Sequence, residues 1–165
     1  MKRVPPTLIA AALAVLIGMA GLVRGAVPQS AAAHGTSQTA PIVIGGAYVR
    51  EPATPNNAAA YFTIFNTSDK PDVLTTVSSG AGAQATLHTE VNGSMTLTTS
   101  GLTIPAHSQV TLSPGKGHVM IEKLYGPLRP GQTVNLQLDF SNNGTILVTA
   151  PVIAIGAPAP SVGAK

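Results

Sequence analysis

The chain has 165 residues, a length that favours one domain with extensions over several domains. Charged residues make up only 9% of it and cysteine is absent, which excludes a coiled coil, a disulfide scaffold and any site that needs a thiolate. The formal net charge of +3 comes from the first 25 residues, because six acidic residues balance the six basic ones from residue 34 onward, so nothing supports a nucleic-acid-binding surface.

Residues 1–33 have the features of an export segment. Lys2 and Arg3 precede an uncharged, apolar run over 7–23, and small residues follow as far as Ala33. This order is typical of a secretory signal peptide. The length of the apolar run and the position of Arg24 also fit an uncleaved membrane anchor. Either alternative places the domain in the periplasm or the cell-wall space, in the second case anchored to the cytoplasmic membrane.

The central part of the chain is predicted to consist of short strands. Residues 34–41 are expected to be a flexible linker, 42–151 a β-sandwich and 152–165 a flexible tail. Val, Thr and Ile dominate 42–151, turn residues recur every 8 to 12 positions, and no helical period is sustained. The pattern predicts an all-β, antiparallel sandwich or barrel. The predicted strands are 42–50, 60–66, 73–77, 84–91, 94–99, 109–112, 118–123, 133–140 and 145–150.

Two Asn-Gly pairs predict tight hairpins. Asn92-Gly93 would join the strands 84–91 and 94–99, and Asn143-Gly144 would join 133–140 to 145–150. At the first hairpin, a two-residue turn pairs Glu90 with Met95. His88 and Met95 are then diagonal neighbours on one face, about 7–8 Å apart at the backbone.

The other notable motif is the H-x-M triplet His118-Val119-Met120 on a predicted strand. Alternation along a strand puts His118 and Met120 on one face and the β-branched Val119 and Ile121 on the other. The apolar face is expected to be the core, so the histidine and methionine point outward.

The two pairs together suggest a metal site. If the two hairpins abut, His88, Met95, His118 and Met120 converge. Two imidazoles and two thioethers suit a soft, low-coordinate ion, and thioethers select Cu(I) over harder ions. Taken alone, either pair is more simply explained as core filler and a surface histidine. His107 is expected to be an ordinary loop residue.

Residues 42–152 resemble the periplasmic PCu(A)C-type copper chaperones. The resemblance is carried by the segments ATPNNAAAYFTIFN, LHTEVNGSMTL, GLTIPAHSQVTLSPGKGHVMIEKL, PLRPGQTVNLQLDF and NNGTILVTAPV. It implies a cupredoxin-like Greek-key sandwich that binds Cu(I) through His88, Met95, His118 and Met120. It further implies delivery of copper to the dinuclear copper centre of cytochrome c oxidase subunit II, or to another receiving protein.

The spacing of the second ligand departs from the family. Ten residues usually separate the first histidine from the methionine, and twenty-one separate that methionine from the second histidine. Here six residues separate His88 from Met95 and twenty-two separate Met95 from His118. Without gaps the family's methionine position falls on Thr96, so a bulge or register change would be needed to bring Met95 into place.

Three functions remain open from the sequence. The first is an exported, monomeric copper chaperone that is not an enzyme. Its cargo is Cu(I), with Cu(II) as the alternative oxidation state. The second is a metal-free structural or adhesive domain. The third is a Cu(II) carrier that uses His34 as the N-terminus left by cleavage after Ala33. A hydrolase lacks a nucleophile-elbow context, and a blue-copper electron carrier lacks its cysteine ligand.

Overall fold

The computed structural model describes residues 40–162. This part of the chain forms ten strands and no helix, and it therefore holds no helix long and apolar enough to cross a membrane. The strands are β1 (Ile42–Thr54), β2 (Asn57–Asn66), β3 (Asp72–Ser79), β4 (Gly82–Val91), β5 (Ser94–Leu97), β6 (Leu102–Ile104), β7 (Ser108–Leu112), β8 (Gly117–Leu124), β9 (Thr133–Phe140) and β10 (Gly144–Ile153).

The strands pair in the order β5-β4-β8-β2-β1-β10-β9-β3-β6, with β7 on the far end of β2. Every pair is antiparallel except β1 and β10, which run parallel where Val49 lies beside Val152. The predicted all-β, cupredoxin-like sandwich is confirmed, with this one parallel pair as a departure from a purely antiparallel one. The parallel pair links the sheet that contains β4 and β8 to the sheet that contains β9 and β3.

Alternation along the strands builds the core between the two sheets. In β9 the burial alternates residue by residue, with Val134, Leu136 and Leu138 inward and their neighbours in solvent. The chain has no Trp and few aromatic residues, so aliphatic side chains fill most of the interior. The largest fully buried apolar side chains are Phe62, Ile64, Leu74, Ile104, Ile121, Leu136 and Leu138.

All nine predicted strands are present, and β6 is the strand that was missed. It has three residues between Gly101 and Pro105, too few for alternation to be recognised. The Asn92-Gly93 turn forms as predicted: Val91 pairs with Ser94, and both turn residues have positive φ (51° and 83°), as a two-residue hairpin turn requires.

The second predicted hairpin forms, with a loop one residue shorter than the predicted strands 133–140 and 145–150 leave between them. Gly144 pairs with Phe140, so three residues form the loop and Gly144 itself belongs to β10 at φ 67°. The carboxylate of Asp72 holds this loop, because it accepts hydrogen bonds from Ser141 Oγ, Asn142 N and Asn143 Nδ2 at 2.6–3.0 Å.

The end of the chain differs from the flexible tail expected from residue 152. Strand β10 continues to Ile153, and Arg50 then holds the following segment. Its guanidinium donates to the carbonyls of Ala154, Ile155 and Ala157 at 2.6–3.0 Å. The predictions for residues 1–33, for most of the linker 34–41, including His34, and for 163–165 fall outside the described residues.

Candidate metal centre

Strands β4 and β8 pair directly, as the metal site required. His88 lies opposite His118, and Thr86 lies opposite Met120. Directly opposed residues in an antiparallel pair share a face of the sheet, so these four side chains project from the same side. The structure therefore brings together two histidines and one methionine that are far apart in sequence.

The core anchors the orientation of this face. Leu87, Val119 and Ile121 alternate with the site residues and are buried, the two β8 residues completely. A slip of the register by one residue would turn these aliphatic side chains to solvent. The predicted outward direction of His118 and Met120 is therefore confirmed, and both side chains are half-buried.

The two imidazole rings are stacked. Their centroids lie 5.2 Å apart and their planes differ by 2°. Thr86 Oγ1 lies 3.1 Å from His88 Nε2, within hydrogen-bonding distance, so this threonine orients the His88 ring. Tyr61 adjoins the other side of His118, with 6.2 Å between the ring centroids.

The Nε2 atom of His118 is the most unusual atom of the site. Among the described residues it alone is a buried side-chain nitrogen or oxygen without a hydrogen-bond partner. Burial lowers the pKa of His118, and the neighbouring His88 lowers it further. His118 is therefore neutral at neutral pH, the form in which imidazole binds a metal ion. A buried polar atom without a partner costs free energy, and a bound ion would remove that cost.

Met95 lies on the same face but at the edge of the sheet. Met95 is on β5, opposite Glu90 of β4 and diagonal to His88, and 40% of the residue is exposed. The pairing predicted from the Asn-Gly turn is thus confirmed, and β5 contains no bulge that would shift Met95 toward His118. Among residues 40–162 no three His, Cys, Asp or Glu side chains form a metal-binding group.

Two tyrosines line the site next to His118, and the sequence analysis did not identify them. Tyr48 lies opposite Tyr61, and their rings stack at 5.1 Å. Arg50 covers Tyr48 at 5.4 Å from the ring centroid, and Tyr48 is only 4% exposed. Burial raises the pKa of Tyr61, and Tyr48 adds to this effect, so the phenol stays protonated. The alternation of β2 and β8 would have placed Tyr61 near His118 had their pairing been known.

His107 lies apart from this site, as expected of a loop residue. It follows β6 with a φ of 48°, and its Nε2 lies 2.7 Å from Asp69 Oδ1 at an exposed position. The adjoining Ser108 pairs with Asn66 at the end of β2, whereas the site adjoins the opposite part of that strand.

Comparison with known proteins gives three consistent results. A family model described as "Putative lipoprotein LpqE-like" matches residues 42–152. A protein of Leifsonia xyli subsp. xyli named "Putative lipoprotein Lxx21020" is 33% identical over 143 residues, 84% of each chain. Among solved structures, the Cu(I)-bound form of DR1885 from Deinococcus radiodurans matches with a TM-score of 0.57 and 32% identity, over 74% of this chain and 85% of that one.

A copper-bound PCuAC domain from PmoF2 is also similar, with a TM-score of 0.60 and 25% identity over 69% of this chain and 93% of that chain. The apo PCuAC domain from PmoF1 is 24% identical with a TM-score of 0.61, and it supports the fold alone. The matches agree with one another on the cupredoxin-like β fold.

Proposed function

Since this chain belongs to the LpqE-like family, which is a PCuAC-type copper chaperone family and not one of enzymes, we propose that it carries Cu(I) outside the cytoplasmic membrane. The proposed ligands are His88, His118 and Met120, and Met95 is a further thioether donor on the same face, at the edge of the sheet. Similar structures contain copper, and one of them is named as the Cu(I) form.

The buried Nε2 of His118 is the observation that carries this proposal. It is a neutral nitrogen donor without a partner, opposite a second imidazole and two residues along β8 from a thioether. This donor set is soft and contains no carboxylate, so it favours Cu(I) over Zn(II), Mg(II) or Ca(II).

Transfer rather than storage fits the accessibility of the site. The ligands lie on the outer face of a sheet, so a receiving protein can approach and displace them one at a time. We propose the dinuclear copper centre of cytochrome c oxidase subunit II as the recipient, or another extracytoplasmic copper protein. The carrier acts as a monomer in this proposal.

The names of the relatives support export. The family model and the Leifsonia protein are both described as lipoproteins. The 165 residues contain no cysteine, the residue that carries the lipid in a lipoprotein. In this chain the segment 1–33, as a signal peptide or an apolar anchor, is proposed to direct the domain to the periplasm or cell-wall space.

Competition titration against a coloured Cu(I) chelator tests the function. His88→Ala and His118→Ala are expected to weaken Cu(I), Cu(II) and Zn(II) binding alike. Met120→Leu is expected to weaken Cu(I) at least tenfold and leave the two divalent ions almost unchanged, because the change keeps the volume but removes the thioether. Lys116→Gln, an exposed turn residue, is the matched control and should bind like the parent.

Two results would replace this function with one of the alternatives. A parent protein without affinity for copper would favour a metal-free structural or adhesive domain. Binding of Cu(II) that survives every ligand change but disappears with His34→Ala would favour the N-terminal Cu(II) carrier. The mass of the exported protein shows whether His34 is its first residue.

A further inference from the structure

The register of three strands places the two methionines on opposite sides of the histidine pair. Strand β4 lies between β5 and β8, so residues on its neighbours can be located relative to it. Met95 lies beside Glu90, and Met120 lies beside Thr86 on the other neighbour. His88, which has His118 beside it, is midway between these two positions.

This arrangement separates the two sulfur atoms by more than one ion can bridge. Four residues along β4 and two strand spacings put the Cα atoms of Met95 and Met120 about 16 Å apart. A methionine with a metal–sulfur bond of about 2.3 Å reaches roughly 6–7 Å from its Cα, so two of them span at most about 13 Å. The two thioethers cannot hold the same ion in this register.

Each methionine can nevertheless join the histidines by itself. Met120 is two residues from His118 on one strand and diagonal to His88. Met95 is diagonal to His88, and its Cα is about 12 Å from that of His118, within the combined reach of the two side chains. The chain thus offers two overlapping three-ligand sets that share both imidazoles.

The two sets differ in exposure. Met120 is half-buried between Ala59 on β2 and Thr86 on β4. Met95 is on the edge strand β5, all four residues of which are exposed, and within residues 40–162 no further strand pairs with its outer side. An ion on the Met120 side is shielded by neighbouring strands, whereas an ion on the Met95 side can be approached from the sheet edge.

We propose that Cu(I) occupies two positions in alternation, a resting position formed by His88, His118 and Met120 and a release position in which Met95 replaces Met120. The inference rests on the proposed function and specifies how its cargo leaves. The step breaks the bond from Met120 Sδ to the ion and forms one from Met95 Sδ. Each sulfur donates its own lone pair, copper stays Cu(I), and no proton or electron is exchanged.

X-ray absorption of the Cu(I)-loaded protein tests the proposal without any substitution. One sulfur and two nitrogen neighbours are expected in the parent. Two sulfur neighbours would overturn the proposal and support a single four-ligand site. Failure of the parent to bind Cu(I) would refute the proposed function itself, and the inference with it.

Variants then separate the two positions. Met95→Leu is expected to keep one sulfur neighbour and an affinity within threefold of the parent, but to transfer Cu(I) to a bidentate chelator at least tenfold more slowly. Met120→Leu should lose affinity at least tenfold and still show one sulfur, now from Met95. The double variant should show none. Leu97→Ala, on the same edge strand but without a donor atom, is the control and should transfer like the parent.

Equal losses of affinity in Met95→Leu and Met120→Leu would overturn the proposal, as would an unchanged transfer rate in Met95→Leu. Both substitutions preserve volume at positions outside the core, so the fold should persist, and circular dichroism checks this.

Discussion

The buried Nε2 of His118 has no hydrogen-bond partner within the described part of the chain, and this affects both the stability of the empty protein and its affinity for a metal ion. A buried polar atom without a hydrogen bond costs about 1–3 kcal/mol, so the empty site is less stable than the same fold would be with that atom paired. Under the proposed function, an internal partner for this nitrogen would compete with the copper ion. The half-buried position limits the cost and leaves a route for exchange.

The depressed pKa of His118 predicts how the empty protein responds to acid. Burial keeps the folded-state pKa below the unfolded value of about 6.5, so the unfolded chain gains a proton first as pH falls. Stability conferred by the neutral ring is complete above pH 6.5 and is lost progressively as pH falls toward the folded pKa. Urea titrations between pH 7.5 and 5 should show this loss in the parent and a smaller one in His118→Gln. Identical pH profiles would show that His118 is not the group responsible.

Thr86 is expected to act on binding through His88. A ligating histidine is usually oriented by a hydrogen bond at its other ring nitrogen, and loss of such a bond commonly costs 10–100-fold in metal affinity. Thr86→Val keeps the shape and removes the hydroxyl that lies 3.1 Å from His88 Nε2. We predict about tenfold weaker Cu(I) binding and an altered His88 tautomer in nitrogen-15 NMR spectra.

Thr89→Val is the matched control for Thr86. It removes a hydroxyl from the same strand, one that bonds Thr98 and not the imidazole. Should Thr86→Val bind Cu(I) as the parent does, the hydrogen bond to His88 would have to break when the ion enters.

The loop between β9 and β10 is bonded to the start of β3 by one carboxylate, in addition to the pairing of β9 with β3. Asp72 is 1% exposed and accepts hydrogen bonds from Val73, Ser141, Asn142 and Asn143. Burial acts to raise the pKa of Asp72, but these hydrogen bonds, led by that from Asn143, hold it below its usual range. The carboxylate therefore stabilises the fold above the unfolded pKa of about 3.8, and this contribution is lost as pH falls through the folded value.

Asp72→Asn is predicted to lower the free energy of unfolding by about 2 kcal/mol at pH 7, because hydrogen bonds to a charged group are lost. Urea denaturation measures this loss, and the difference from the parent should shrink below pH 4. Asp69→Asn changes an exposed carboxylate in the segment before β3 and should change the free energy of unfolding little. A loss of equal size in both variants would mean that the hydrogen bonds of buried Asp72 do not stabilise the fold more than an exposed carboxylate does.

Sequence patterns predicted most strands because alternation and Asn-Gly turns are local signals. The pairing of Glu90 with Met95 followed from one turn, and the outward direction of Met120 followed from two β-branched neighbours. The β4–β8 register depends on residues about 30 positions apart, and the contact of Tyr61 with His118 joins residues still farther apart, so no local pattern encodes either. The contact of Thr86 with His88 is local, but alternation shows only that the two share a face. The hydrogen bonds that hold the loop Ser141–Asn143 could not be predicted, because their acceptor, Asp72, belongs to another strand.

Across the whole molecule, the C-terminal segment and Arg50 together cover one part of the sheet that carries His88 and His118. Val162 returns to Gly46, where a Cβ atom would approach it to 2.9 Å, and Arg50 holds the start of the segment. Tyr48 lies beneath Arg50 and supports Tyr61 beside His118. Arg50 thus connects this segment, which lies beyond the residues that the family model matches, to the tyrosine pair beside His118.

Arg50→Met is predicted to release this segment while keeping the aliphatic part of the side chain. Loss of hydrogen bonds to three carbonyls should cost about 2 kcal/mol and speed amide hydrogen exchange in residues 154–162. Mass spectrometry of peptides from that region measures the exchange. Arg129→Met alters an exposed loop cation and should leave it unchanged. Unaltered exchange in Arg50→Met would mean that the segment is held by other contacts.

His88 and His118 are 30 residues apart in sequence and meet only when β4 and β8 have paired in register. An unfolded chain that has just crossed a membrane therefore possesses the donor atoms but not the centre. Loading must follow folding, and long-range strand pairing is among the slower folding events. Bound copper would in turn stabilise the fold, since free Cu(I) at 100 times its dissociation constant would raise the free energy of unfolding by about 2.7 kcal/mol. Delivery of the ion removes that increment, so the emptied carrier is the form most exposed to unfolding and proteolysis.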